Sequence, residues 1–102
     1  MYDLIQITAK IELFSGKDMR TTPFVNGYRP LFYFLGANTH VSGQIKLIDN
    51  KEFSPGMTGL VEVTFIKGII SGEYFKKGGD FSFSEGRTPL GKGIIMEVIM
   101  PE

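Results

Sequence analysis

Apolar and polar residues alternate along several stretches of this chain. Between positions 5 and 13 every odd-numbered residue is apolar, and every residue between them is polar or charged. Shorter stretches of the same kind occupy positions 41–47, 61–65 and 81–84. Because successive side chains of a β-strand point to opposite sides, each stretch predicts a strand with one buried face and one solvent-facing face.

Two other segments are apolar at nearly every position. They are Leu31–Leu35 and Ile94–Met100, the second interrupted only by Glu97. A strand of this kind either lies between two layers of the protein or presents one face to a partner. We favour cover by loops or by the N-terminal residues, and the partner interface stays open as the alternative.

Thirteen glycines and five prolines separate the predicted strands. These residues suit turns because glycine permits a positive φ and proline fixes φ near −65°. No stretch of ten residues has the 3.6-residue period of an amphipathic helix. Short strands with frequent turns predict an all-β sandwich or a closed barrel, and 102 residues suffice for one domain spanning positions 1–102.

Composition narrows the classes of function. Eleven basic and eleven acidic residues cancel, whereas domains that bind nucleic acid usually carry net positive charge. The chain has no cysteine, which excludes disulfides and cysteine-ligated metals. Asp3 stands where a signal peptide needs basic residues, and no apolar run approaches the roughly 18–20 residues of a membrane helix. We therefore expect a cytoplasmic protein without a membrane partner.

One stretch resembles a nucleotide-binding motif but fails on its chemistry. Residues Gly86–Gly93 have the glycine and lysine spacing of a phosphate-binding P-loop, but Gly93 lacks the hydroxyl that binds Mg²⁺, and Pro89 removes a backbone donor. The glycines are better suited to a tight turn and a close strand crossing. His40, the only histidine, has no second ligand beside it and is expected at the surface. We predict no enzyme activity, no catalytic residue, no cofactor, no metal and no nucleotide.

Lys76 and Lys77 follow two aromatic residues in a glycine-rich stretch. They suit the solvated tip of a hairpin, which we favour, or a contact with a phosphate group.

The segment Arg20–Phe34 carries a resemblance to a known family. It contains a threonine–proline turn, a Tyr-Arg-Pro tripeptide and an aromatic strand in the order R-T-T-P-F-V-N-G-Y-R-P-L-F-Y-F. This order resembles the opening of the third, C-terminal β-barrel domain of bacterial elongation factor Tu, and the resemblance runs from about Ile7 to Ile99. It continues through Val41–Gly43, Pro55–Gly56 and Gly91–Ile95. The residues that form its scaffold motif are Thr22, Pro23, Gly27, Tyr28, Arg29 and Pro30.

The resemblance implies a fold and a binding surface. The fold would be a six-stranded, closed, antiparallel Greek-key barrel with residues 1–6 as a lead-in extension. In the family this barrel grips the T stem of aminoacyl-tRNA. The positions that match this surface, together with the neighbouring arginine, are Ser42, Lys67, Glu85, Gly86 and Arg87. Two positions depart from the family pattern, because Leu31 replaces a glutamine that contacts the stem and Ser84 replaces an arginine.

These features together predict a non-enzymatic binding module. The preserved scaffold and the two altered RNA positions favour a protein partner linked to translation, with the oligomeric state open. The alternatives are a tRNA- or RNA-binding domain and a fragment of a translation elongation factor.

Overall fold

The predicted all-β class is confirmed. The computed structural model describes residues 4–16, 22–37, 40–48, 51–66 and 74–99. The alternating stretches form strands whose apolar residues point inward, as in the first strand, where Ile5, Ile7, Ala9, Ile11 and Leu13 are all buried. In chain order the strands are β1 (Leu4–Leu13), β2 (Leu31–Phe34), β3 (Val41–Ser42), β4 (Gln44–Leu47), β5 (Thr58–Ile66), β6 (Asp80–Glu85) and β7 (Thr88–Ile99).

All seven strands belong to one sheet, in the order β3-β2-β6-β7-β1-β5-β4, and every neighbouring pair is antiparallel. The sheet curls into a half-barrel with seven strands, where the resemblance implied a closed barrel of six. The difference arises at positions 41–47, which the alternation predicted as one strand. Gly43 separates this stretch into β3, which pairs with β2, and β4, which pairs with β5.

The expected lead-in extension is part of the sheet where it is described. Leu4, Ile5 and Gln6 belong to β1 and pair with the end of β5, and Gln6 also pairs with Ile99 of β7. None of the described residues forms a helix of the length and hydrophobicity that would cross a membrane.

Aromatic rings fill much of the core. Phe32 lies 5.1 Å from Phe65 in an edge-to-face arrangement, and Phe34 lies 5.0 Å from Phe75, both measured between ring centroids. Each such pair stabilises the fold by roughly 0.5–1.5 kcal/mol, in addition to the stabilisation that comes from burying the area of the rings. Among the described residues no polar or charged side chain is buried, so burial of apolar surface stabilises this core.

Gly43, between β3 and β4, and two glycines of β7 lie directly beneath phenylalanine rings. A Cβ built on Gly43 would lie 2.5 Å from Cε1 of Phe65, and one on Gly93 would lie 2.5 Å from Cζ of Phe81. A Cβ on Gly91 would overlap the ring of Phe83 and the carbonyl oxygen of Glu12 on β1. The rings therefore occupy the volume that the missing side chains leave, and Gly91 confirms the predicted close strand crossing.

The two segments that are apolar on both faces leave one face exposed in the described part of the chain. Leu35 is 71% exposed beyond the end of β2, and Ile94 and Met96 of β7 are 37% and 42% exposed. Cover by other described residues, the interpretation favoured on sequence, does not occur at these three positions. Met100 lies outside the described residues.

Candidate functional site

Strand register brings three of the notable sequence positions into one row. Leu31 on β2 pairs with Ser42 of β3 on one side and with Ser84 of β6 on the other. Ser42 and Leu31 are exposed and Ser84 is half-buried. Because neighbouring strands lie about 4.8 Å apart, Ser42 and Ser84 lie roughly 10 Å apart with Leu31 between them.

A tight turn places the next candidates beside this row. Glu85, the last residue of β6, pairs with Thr88 of β7, so Gly86 and Arg87 form a two-residue turn. Gly86 has a φ of +60°, a left-handed conformation that such turns require. Glu85, Gly86 and Arg87 are all exposed.

The candidate positions therefore share one end of three adjacent strands. We call this region the end surface and define it by the residues Arg29, Leu31, Ser42, Gln44, Ser84, Glu85, Gly86 and Arg87. The remaining candidate, Lys67, lies outside the described residues.

Tyr28 connects the end surface to the core. Its hydroxyl donates a hydrogen bond to Oε2 of Glu85. Its ring stacks on Phe24 at 4.8 Å between centroids, and Phe24 stacks on Phe53 at 5.4 Å. Two reciprocal backbone hydrogen bonds, of 3.0 and 2.8 Å, link Phe24 to Phe53. The sequence marked Tyr28 only as scaffold, and its contact with a surface candidate was not predicted.

The rest of the scaffold motif runs alongside β4. The N–H of Gly27 donates to the carbonyl of Ile45, and the N–H of Ile45 donates to the carbonyl of Tyr28, each at 2.9 Å. Pro30 accepts a longer bond of 3.4 Å from the N–H of Gly43. Thr22 and Pro23, both exposed, precede Phe24. The motif thus positions the backbone that borders the end surface.

Gln44 belongs to the end surface although the sequence did not single it out. Its Oε1 accepts a long hydrogen bond of 3.5 Å from Nη2 of Arg29. The alternation of side chains could have identified it, because Ser42, Gln44 and Lys46 share the outward side of the bent segment 41–47.

The chemistry of the end surface is that of a contact area. Arg29 and Arg87 contribute two cations and Glu85 one anion, while Ser42, Gln44 and Ser84 provide neutral hydrogen-bonding groups. Leu31 supplies an apolar centre, 38% exposed. Within the described part of the chain, no three His, Cys, Asp or Glu residues group together as metal ligands.

The remaining sequence candidates lie elsewhere. His40 is exposed, as predicted, and its ring centroid lies 5.4 Å from that of Tyr33. Lys76 and Lys77 are exposed beside Gly78, whose φ of +86° fits the predicted turn. No protein-family model matches the chain.

We predict that Tyr28→Phe destabilises the fold by about 0.5–1.5 kcal/mol. The substitution keeps the ring stack on Phe24 and removes only the hydroxyl that donates to Glu85. Urea denaturation of the two proteins measures the difference. Tyr33→Phe is the matched control, because Tyr33 faces outward on β2 and a smaller change is expected there. Equal losses in the two variants would contradict a specific role for the Tyr28 hydroxyl.

Proposed function

We propose that this chain is a non-enzymatic binding module that contacts another protein through the end surface. The observation that carries the proposal is the row in which Leu31, an exposed apolar residue, lies between Ser42 and Ser84. Protein interfaces commonly surround an apolar centre with polar groups that make hydrogen bonds. Glu85 and Arg87 at the edge of this row add one charge of each sign, which suits a partner with mixed charges.

The link to translation rests on the resemblance to the elongation factor Tu barrel. The connection between β3 and β4 supports it, because these strands lie at opposite ends of the sheet order and only Gly43 separates them in the chain. Counted as one bent strand, the segment 41–47 would join the two ends and leave six strands in a cycle. We propose on this ground a Greek-key barrel related to that domain, and a cytoplasmic location suited to its role.

Site-specific photocrosslinking in cell lysate tests the protein-binding proposal. A crosslinking amino acid at position 42 or 87 should capture the same protein, because both positions lie on the end surface. The matched control carries it at position 97, an exposed site near the opposite end of β7. Capture of one protein from positions 42 and 87 but not from 97 is the expected result. The same capture from all three positions, or none, would overturn the proposal.

A second candidate function is RNA binding through the same surface. It is favoured by Arg29 and Arg87, two cations set among the hydroxyl groups of Ser42 and Ser84. RNA sequencing of the crosslinked material, together with titration of bulk tRNA at low salt, distinguishes it from protein binding. RNA binding would weaken steeply as salt rises and would weaken further in Arg87→Ala, since cations that neutralise phosphates release counterions. No binding at tens of micromolar would exclude this function.

A further inference from the structure

A second row of outward-facing residues crosses the middle of the sheet and has a distinctive order. Asp80 on β6 pairs with Ile94 on β7, Ile94 pairs with Lys10 on β1, and Lys10 pairs with Leu60 on β5. Leu35 lies on the other side of Asp80, because its N–H donates to the Asp80 carbonyl at 3.2 Å. We call this set the alternating row, and in spatial order it is Leu35, Asp80, Ile94, Lys10 and Leu60.

All five residues of the alternating row are exposed. Leu35, Ile94 and Leu60 are 71%, 37% and 41% exposed, which is unusual for three large apolar side chains that share one row. Asp80 and Lys10 lie two strand spacings, roughly 10 Å, apart, which is too far for an ion pair with each other. The row therefore carries two opposite charges and three apolar groups, and its central residues Asp80, Ile94 and Lys10 lie on three adjacent strands.

The order of the row makes it complementary to itself. It runs apolar, negative, apolar, positive, apolar, with Ile94 at the centre. A twofold axis that runs parallel to β7 and passes above Ile94 reverses the row of the second copy. Asp80 then faces Lys10 of the second copy, and Ile94 faces its own equivalent. Leu35 and Leu60 lie one strand further out on each side, where the curl of the sheet turns them away from the axis. Such an isologous contact uses one patch on both subunits, as in most homodimers.

The same twofold axis places two more residues of β7 near their own equivalents in the second copy. Met96, 42% exposed, lies on β7 with Ile94 and would add a second apolar contact along the axis. Lys92 also lies on β7 near the axis and would face its own equivalent, and in each copy the paired residue Glu12 on β1 supplies a compensating negative charge.

We propose that this face binds a second copy of the same chain, with the alternating row at the centre of a twofold interface. The proposal is independent of the proposed function, because the end surface uses other residues. The interface is small, since two convex sheets meet at one row. We therefore expect association in the micromolar range or weaker rather than an obligate dimer.

Sedimentation equilibrium of the full chain, with charge-reversal variants, tests the proposal. Asp80→Lys and Lys10→Asp each place like charges opposite each other twice in the dimer, so each should weaken association at least about tenfold. The double variant Asp80→Lys/Lys10→Asp exchanges the two charges and should restore association to within about threefold of the original. Thermal unfolding at low concentration verifies that every variant is folded.

Two further variants locate the interface. Ile94→Asp sets two carboxylates against each other at the axis and should abolish association at concentrations where the original chain is dimeric. Val25→Asp is the matched control, because Val25 is 57% exposed but lies outside the sheet strands, and it should leave association unchanged. A chain that remains monomeric up to millimolar concentration would overturn the proposal. A dimer that resists the charge reversals, or a double variant without recovery, would overturn it equally.

Discussion

Replacing Gly91 with alanine is expected to destabilise the fold by about 3 kcal/mol or more. The new Cβ would overlap the carbonyl oxygen of Glu12 and the ring of Phe83, and it would lie 2.8 Å from Cε1 of that ring. The ring could rotate away, but the Glu12 oxygen belongs to the backbone of β1, which pairs with Gly91 through Leu13. Relief therefore requires β1 and β7 to separate at the centre of the sheet.

Urea denaturation monitored by circular dichroism measures this loss as a lower midpoint. Gly59→Ala provides a graded comparison, because a Cβ there would meet only the ring of Phe53, at 3.2 Å, and a smaller loss is expected. Lys92→Ala, at the exposed neighbouring position, controls for a general effect on β7 and should change stability by less than about 0.5 kcal/mol. A Gly91→Ala midpoint equal to that of Lys92→Ala would show that the close crossing does not constrain the fold.

The strands were predictable because their signal is local. Alternation in β1, β5 and β6 follows from the opposite directions of neighbouring side chains, and it identifies Ile7, Val63 and Phe83 as core residues without knowledge of their partners. The turn at Gly86 was predictable for the same reason, since a glycine conformation depends on few neighbours.

The division of positions 41–47 into two strands was not predictable from the alternation. Gly43 occupies a position that the alternation assigns to the inward side, so the pattern of apolar and polar residues continues through it. Between β3 and β4 the backbone passes beneath the rings of Phe65 and Phe32, and only glycine leaves room for them. These two rings come from β5 and β2. Contacts of this kind depend on tertiary packing, and sequence periodicity carries no information about them.

The arrangement of the candidate site could also not be predicted from the sequence alone. The resemblance named Ser42, Glu85, Gly86 and Arg87, but only register shows that they share one end of the sheet. The contact between Tyr28 and Glu85 spans 57 positions. The alternating row was likewise invisible in the sequence, because its members come from separate strands and become neighbours only when the pairing is known.

Replacing Phe65 with alanine is the second change for which we expect a large effect, a loss of about 3–5 kcal/mol. The ring is 1% exposed and contacts Phe32, Phe34 and Phe75 at centroid distances of 5.1, 5.6 and 5.3 Å. Its removal leaves a cavity that neighbouring rings fill only in part. Denaturant titration against the exposed-site control Val25→Ala, which should lose less than about 0.5 kcal/mol, measures the effect.

The combination of this change with Gly43→Ala tests why the glycine is there. In the original chain the alanine methyl would lie 2.5 Å from Cε1 of Phe65, so Gly43→Ala alone should cost about 1–3 kcal/mol. Without the Phe65 ring the methyl enters vacated space, and the double variant should be more stable than the sum of the two losses predicts. Relief will be partial, because Cε1 of Phe32 remains 2.9 Å away. If the two losses in the free energy of unfolding simply add, the Phe65 ring is not the reason that position 43 is glycine, because only sites in contact couple in such a cycle. The backbone conformation at Gly43 would then be the reason.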